Sequence, residues 1–358
     1  MIKVLQLPGS ISRLNGRMSV LMNIYRNLDR NRIQFDFIAT DEEGESYKDE
    51  IEKLGGSVFL IKNPSFKQMR SAVNKVLKNN NYDFMHYHAI SPWGSVLDLG
   101  HKYNVKVITQ SHATEFSEML IKRLRNFVFS LNIFRYSDKL VAVSPEAGKK
   151  LFRNHNFEYI PTWIDKEKFT FSKVSRDRIR KKLGLLDDDI LVGNVSRFAL
   201  QKNHQFMIET FKELVQHDKK FHIAFVGDGP LQKSIQEYAM LHHMEDNVHF
   251  IGVTKNVSDY YSAFDVFWLP SKYEGLPTVA IEAQANGLSV IASQKITKQI
   301  KVGNVIFLPI SKGSLNSWVD ETEKNAKKRD SNIEVEFNQS VFKKDKVINQ
   351  WEKLYELR

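Results

Sequence analysis

Short runs of apolar, β-branched and aromatic residues alternate along the chain with longer stretches whose apolar positions recur every three or four residues. The short runs predict strands at 2–7, 34–40, 57–61, 84–89, 106–111, 139–144 and 157–160. Helical periodicity fills 17–29, 46–54, 66–80, 93–103, 117–135 and 145–153 between them. The scheme then repeats. Strands are predicted at 190–195, 221–226, 248–251, 266–269, 289–292 and 304–308, with helices at 203–217, 230–242, 256–263, 277–286 and 313–328. A polar segment, 329–340, precedes a last helix at about 341–356. Strands alternating with helices build parallel βαβ units, so the fold class is α/β. The expected organisation is two doubly wound domains, 1–165 and 166–340, joined within 161–185, where Pro161 opens a polar, charged stretch. The segment 341–358 forms a C-terminal helix able to cross back to the first domain. Open sheets of this kind bind ligands outside the carboxyl ends of their strands, which predicts a central cleft between two such edges.

Composition narrows the function classes. At 358 residues the chain is too long for one ordinary core, and 42% apolar with 26% charged residues is the balance of an ordered globular protein. Cysteine is absent, which excludes disulfides, Cys-ligated zinc, iron–sulfur clusters and a thiol nucleophile. No run approaches about 18 consecutive apolar residues, the length of a membrane span. The opening Met1-Ile2-Lys3-Val4-Leu5-Gln6-Leu7-Pro8-Gly9 reads as a strand and turn rather than a signal peptide, so a cytoplasmic location is expected. The net charge is +10, and residues 62–135 hold 11 basic against 4 acidic side chains. Such an excess suits an anionic surface or an anionic substrate, and a solvated basic face explains it equally well.

Several motifs sit at predicted strand ends. Glu274-Gly-Leu-Pro-Thr-Val-Ala-Ile-Glu282 follows the strand 266–269, with Pro277 suited to the first turn of a helix. The Gly275 and Leu276 amides and the helix dipole would then form an anion site, with the Glu282 carboxylate placed to accept hydrogen bonds from a ribose. The competing reading is a plain strand–turn–helix with solvated glutamates. Arg197 and Lys202, in Gly193-Asn-Val-Ser-Arg197-Phe-Ala-Leu-Gln-Lys202-Asn203, leave the end of another strand, where two cations can neutralise a diphosphate. Standing alone, they also fit a solvated basic loop. Val226-Gly227-Asp-Gly229-Pro230 begins like a dinucleotide fingerprint, but Gln232 stands where a glycine is needed, and no P-loop is present. His112, in Thr109-Gln-Ser-His112-Ala-Thr-Glu115, follows a strand of the first half and could hydrogen-bond a sugar or phosphate there. His86-Tyr87-His88 puts two histidines on one strand face, but without carboxylate or cysteine partners at ligand spacing they are read as structural. Asp187-Asp188-Asp189 is read as a polar turn. Finally, 116–135 carries an apolar helical stripe flanked by Lys122, Arg123, Arg125 and Arg135, the profile of a helix resting on an anionic membrane or of a core-facing helix with a basic outer side.

The ordered set Gly-x3-Arg-x4-Lys-Asn, Val-Gly-Asp-Gly, Leu-Pro-Ser and Glu-Gly-Leu-Pro-x4-Glu resembles the retaining GT-B glycosyltransferases of family 4 (group 1). Met22-Asn-Ile-Tyr-Arg26 and Glu282-Ala-Gln-Ala look most like the capsular and exopolysaccharide branch. The resemblance spans nearly the whole chain and implies two Rossmann-like domains facing a cleft. It implies transfer of a hexose or N-acetylhexosamine, without metal or cofactor, from a nucleotide diphosphate sugar to a lipid-linked oligosaccharide. UDP is the expected nucleotide. By position, Arg197 and Lys202 match the residues that hold the diphosphate, Glu282 the ribose-binding glutamate, and Glu274 with Gly275-Leu276-Pro277 the group around the donor sugar. His112 matches a histidine near the reacting sugar, and Val253 and Thr254 lie where the base is held. The family's N-terminal Gly-Gly is Asn15-Gly16 here, with Asn15 expected to tolerate a positive φ in place of the missing glycine. The usual Asn-Gly of the linker is Thr162-Trp163. Two other readings stay open: a nucleotide-sugar 2-epimerase, which needs acid/base carboxylates, and a non-catalytic partner subunit. A nucleic-acid binder is disfavoured, because no recognition motif accompanies the basic residues.

Overall fold

The computed structural model describes residues 1–356 except 14, 42–43, 90–91 and 113–130. The chain forms two units: Met1–Trp163 with Lys344–Arg358, and Ile164–Lys343. The first holds strands β1 (Ile2–Ser10), β2 (Ile33–Asp41), β3 (Val58–Lys62), β4 (Phe84–Ala89), β5 (Lys106–Ser111), β6 (Lys139–Ala142) and β7 (Glu158–Tyr159) in the order β3-β2-β1-β4-β5-β6-β7. The second holds β8 (Ile190–Val195), β9 (Phe221–Val226), β10 (Val248–Gly252), β11 (Val266–Leu269), β12 (Val290–Ser293) and β13 (Val305–Leu308) in the order β10-β9-β8-β11-β12-β13. The neighbouring strands run parallel. Both sheets reverse direction at one place, between β1 and β4 in the first unit and between β8 and β11 in the second. In doubly wound sheets that reversal opens a crevice at the carboxyl ends.

Strands covered on both faces read as continuous apolar runs, and every residue of β4, β11 and β12 is buried. Successive side chains feed opposite layers: Val4 joins one core and Leu5 the other, and Phe267 and Trp268 divide in the same way. Gly193 in β8 is required by packing, since a Cβ there would lie 2.1 Å from the Phe264 ring.

The chain leaves the first unit at Trp163, which is buried in that unit's core, and returns at the helix Lys344–Glu356. This helix buries Val347, Ile348, Trp351, Leu354 and Tyr355 in the same cluster. At about 1.5–3 kcal/mol for each large apolar side chain, that is ample reason for the last segment to pack on the first unit. Two segments expected to be irregular are helical. Lys173–Lys182 lies within the predicted join, and Ile333–Gln339 within the polar stretch 329–340. The predicted helix 93–103 is instead a 3-10 turn, Pro92–Val96, followed by the short helix Asp98–Lys102. Of the predicted basic helix 116–135, residues 116–130 lie outside the described residues; 131–136 are helical. No helix among the described residues is long and apolar enough to cross a membrane.

Candidate functional site

The loop after β8 is held by two others. Ser196 N–H donates to Val226 O and Phe198 N–H to Asp228 O, while Phe198 O accepts from Leu231 N–H, so the backbone on both sides of Arg197 is tied to the Gly227-Asp-Gly229 turn. That approach leaves no room for side chains. A Cβ on Gly227 (φ +139) would lie 2.1 Å from Ser196 O, and one on Gly229 (φ +157) 2.5 Å from Phe198 O. The sequence motif that fails as a dinucleotide fingerprint is therefore the clamp of the Arg197 loop. Gly227 N–H also donates to Gly252 O at 2.9 Å, which brings the residues after β10 alongside. There Val253 is 63% exposed, and Thr254 Oγ1 accepts from Asn256 N–H.

The loops after β8 and β11 are stitched across the crevice between those strands. Gln201 Nε2 donates to Tyr273 O (2.8 Å) and Glu274 Oε2 (3.1 Å), and Gln201 O accepts from Lys272 N–H. Asn203, in the left-handed region at φ 60, donates through Nδ2 to Pro270 O, and Asn194 Nδ2 to Trp268 O. Lys202 pairs with Glu274, a carboxylate only 7% exposed. A buried carboxylate needs such a partner, and the ammonium, with three donors, keeps two for another anion. Arg197 is exposed and has no ion pair among the described residues. Beneath the loop, His204 stacks on Phe198 at 4.1 Å, and burial holds its pKa down to about 3.

Pro277 is the N-cap of the helix Thr278–Ala285 rather than part of its first turn, and it provides no side-chain cap. A proline cannot cap, so the orphan N–H groups of the helix start remain for another acceptor. Gly275 is buried in the preceding turn, and the nearby Ser271 hydroxyl is buried without a protein partner. Glu282, in the same helix, accepts a 2.8 Å hydrogen bond from Tyr261 on Oε2. Its pKa is raised, chiefly by burial, against hydrogen bonds from Tyr261 and Thr278 and the charge of Lys168, all of which favour the ionised form. Arg197, Lys202, Glu274, Gly275, Leu276, Pro277 and Glu282 thus belong to the two loops and one helix at the direction reversal of the second sheet.

In the first unit, Asn15 caps the helix Gly16–Asn27 by accepting from Arg17 N–H at 3.1 Å, with φ −89. The tolerance of a positive φ expected of Asn15 is not drawn on, because an N-cap takes extended backbone. Gly16 faces open space. His112 follows β5, and its Nε2 lies 2.9 Å from His88 Nδ1. His88 and His86 share a strand face as predicted, their rings stacked 4.5 Å apart. Their partners are Gln6, Tyr355 and His112, with Arg17 on the His88 carbonyl. Burial pushes His112 and His88 well below the usual imidazole range, and the Arg17 charge adds to this. Sequence reasoning singled out neither Gln6 nor Tyr355, which meet across 349 positions of chain with no local signal. Among the described residues no group of three or more His, Cys, Asp or Glu is placed to hold a metal ion.

Residues 175–337 match the family described as Glycosyl transferases group 1, and residues 15–168 match Glycosyltransferase Family 4. The chain is 31% identical over 315 residues to EpsF of Bacillus subtilis (strain 168), which is named as a glycosyltransferase; 84% of this chain and 81% of that protein are covered. It is 26% identical to the capsular polysaccharide biosynthesis glycosyltransferase CapH of Staphylococcus aureus, over 82% of this chain and 81% of CapH. It is 28% identical to the UDP-Gal:alpha-D-GlcNAc-diphosphoundecaprenol alpha-1,3-galactosyltransferase of Escherichia coli, over 63% of this chain and 62% of that one. The fold is shared with Anabaena HepE, solved in complex with UDP, at a TM-score of 0.81 and 18% identity over 99% of this chain and 100% of HepE.

Proposed function

The chain belongs to the glycosyltransferases of group 1 and family 4, in their capsular and exopolysaccharide branch, and from that premise we propose that it moves a hexose or N-acetylhexosamine, with retention, from a UDP-sugar to a lipid-linked saccharide during surface-polysaccharide assembly. The observation that carries this reading is the pair of stitched loops at the direction reversal of the second sheet. They bring Arg197, the remaining donors of Lys202 and the uncapped helix start at Thr278 to one edge. Those groups suit a diphosphate. Glu282, with one oxygen held by Tyr261, keeps acceptor capacity for ribose hydroxyls. Val253 and Thr254 would flank the base. The Escherichia coli relative supports UDP and a diphosphoundecaprenol-linked acceptor by its name.

In this mechanism the bond from the anomeric carbon to the diphosphate oxygen breaks, and its electron pair leaves with UDP. Arg197 and Lys202 stabilise the charge that develops there, so no metal or cofactor is needed. The acceptor hydroxyl forms the new bond from the same face and releases its proton to the departing phosphate oxygen. Within the second unit Glu274 holds Lys202 in place, and for the first unit the resemblance assigns His112 to the reacting sugar and Asn15-Gly16 to the start of the helix Gly16–Asn27. The protein works on the cytoplasmic side, and the basic segment 116–135 would make peripheral contact with anionic lipid.

The test is incubation with a panel of UDP-sugars and a polyprenyl-diphosphate-linked saccharide, with the new anomeric centre read by NMR. Transfer that keeps the donor's configuration is expected. An epimerised sugar formed without acceptor, or nucleotide binding without turnover on any acceptor, would replace this reading with one of the two alternatives. Charge reversal at Lys122, Arg123 and Arg125 should weaken binding to anionic vesicles, and unchanged binding would end the membrane claim.

A further inference from the structure

Gln6, His88 and His112 of the first unit are joined end to end by hydrogen bonds, and the hydroxyl of Tyr355 closes the inner end. We propose that Gln6 and His88, anchored by Tyr355 on the C-terminal helix, are positioning residues that hold His112 with its proton on Nε2. His112 then meets its ligand only as an acceptor at Nδ1, which selects a hydroxyl there over an acceptor-only group such as a carboxylate. This rests on the reading that His112 meets the reacting sugar.

Counting donors and acceptors along the row gives the assignment. Tyr355 Oη lies 2.6 Å from His86 Nδ1 and 3.1 Å from Gln6 Nε2. Hydrogen bonds donated by a hydroxyl are short and those donated by an amide are longer, so the tyrosine donates to His86 and the Gln6 amide donates to the tyrosine. Gln6 Oε1, an acceptor only, then faces His88 Nε2 at 2.8 Å, and that nitrogen carries the hydrogen. A neutral imidazole has one N–H, so His88 Nδ1 is a lone pair, and His112 Nε2 must donate to it across 2.9 Å. What remains on His112 is the Nδ1 lone pair. The opposite polarity would need the hydroxyl to donate over 3.1 Å and His86 to donate over 2.6 Å, which inverts the ordinary lengths. The row stays neutral because His86 and His88 are buried, with Arg17 the cation beside it.

The experiment is long-range ¹H–¹⁵N correlation of the full chain labelled at histidine, near neutral pH, with His112 assigned from a His112→Asn variant. The expected spectrum has a protonated Nε2 and an unprotonated Nδ1 on His112. Tyr355→Phe keeps the ring and removes the anchor, so His112 should become a mixture of tautomers. Transfer should then fall roughly two- to tenfold in kcat, the size of one neutral hydrogen bond, with the KM for the nucleotide sugar unchanged. Gln6→Leu should do the same. A proton on Nδ1 in the unaltered protein, or a tautomer that Tyr355→Phe and Gln6→Leu both leave unchanged, overturns the proposal. A tautomer that shifts as expected while transfer does not change leaves the relay standing and removes His112 from the reaction.

Discussion

Alanine at Gly227 tests how the Arg197 loop is held. The new Cβ would sit 2.1 Å from the Ser196 carbonyl oxygen, which is backbone and not the end of a flexible side chain. Ordinary contact starts near 3.4 Å, so one of the two loops must move by about an ångström. Overpacking of this kind costs about 1–3 kcal/mol, and holding a non-glycine residue in a sparsely populated backbone region about as much again. The sum is about 2–6 kcal/mol, or roughly 4–24 °C in melting temperature for a unit of this size. Ser196 N–H and Phe198 N–H, on either side of Arg197, are the groups tied to the turn, so the guanidinium moves with the strain. UDP affinity should therefore fall together with stability. Gly313→Ala is the control, since its Cβ meets nothing within 4 Å. Differential scanning calorimetry and UDP titration on both variants decide the matter. A Gly227→Ala protein that melts within a degree of the parent and binds UDP as tightly would refute the clamp.

Other expectations follow from the same geometry. Arg197→Ala, at an exposed position, should leave stability within about 0.5 kcal/mol yet weaken UDP roughly 10- to 150-fold. Lys202→Met should lose similar affinity and in addition about 3–5 kcal/mol of stability, because it takes the ammonium away from the buried Glu274 carboxylate; equal melting temperatures for the two variants would contradict this. Glu282→Ala should weaken UDP but not inorganic diphosphate if the carboxylate serves the ribose, and calorimetric titration separates the two. On the acid side, burial holds His86 and His204 down to about 3 and His249 to about 4. The unfolded chain takes these protons near pH 6.5, so each histidine contributes stability that is complete above about 6.5 and lost as pH falls toward the folded value, at about 1.4 kcal/mol per pH unit. Urea midpoints should drop steeply from pH 6.5 to 4.5, and a flat profile would show that the histidines are not buried neutral.

The strands were legible because parallel strands covered on both faces leave unbroken apolar runs, as in Val266–Leu269. The helix Lys173–Lys182 was not, because arginines and not an apolar stripe attach it. Arg176 and Arg180 both bond Asp265, and Arg180 also reaches Leu186 O and Asp189 O. A helix held in this way has no hydrophobic period to read. Ile333–Gln339 buries a single apolar residue, Phe337, and was hidden for a similar reason. In the second unit Arg197, Lys202 and Glu274 could be placed at strand ends from sequence because each lies within a few residues of an apolar strand, β8 or β11. The Gln6–His88–His112 row depends on partners that only the folded sheet and the returning C-terminal helix bring together.

The central claim is a nucleotide diphosphate site built by Arg197, Lys202 and Glu282 in the second unit. Isothermal titration with UDP, in EDTA, of the parent chain and of the Arg197→Ala and Lys202→Met variants tests it most directly. Saturable one-to-one binding by the parent is expected, unchanged by EDTA and weakened at least tenfold by either substitution. Binding equal in all three proteins, or binding that disappears with EDTA, would contradict it.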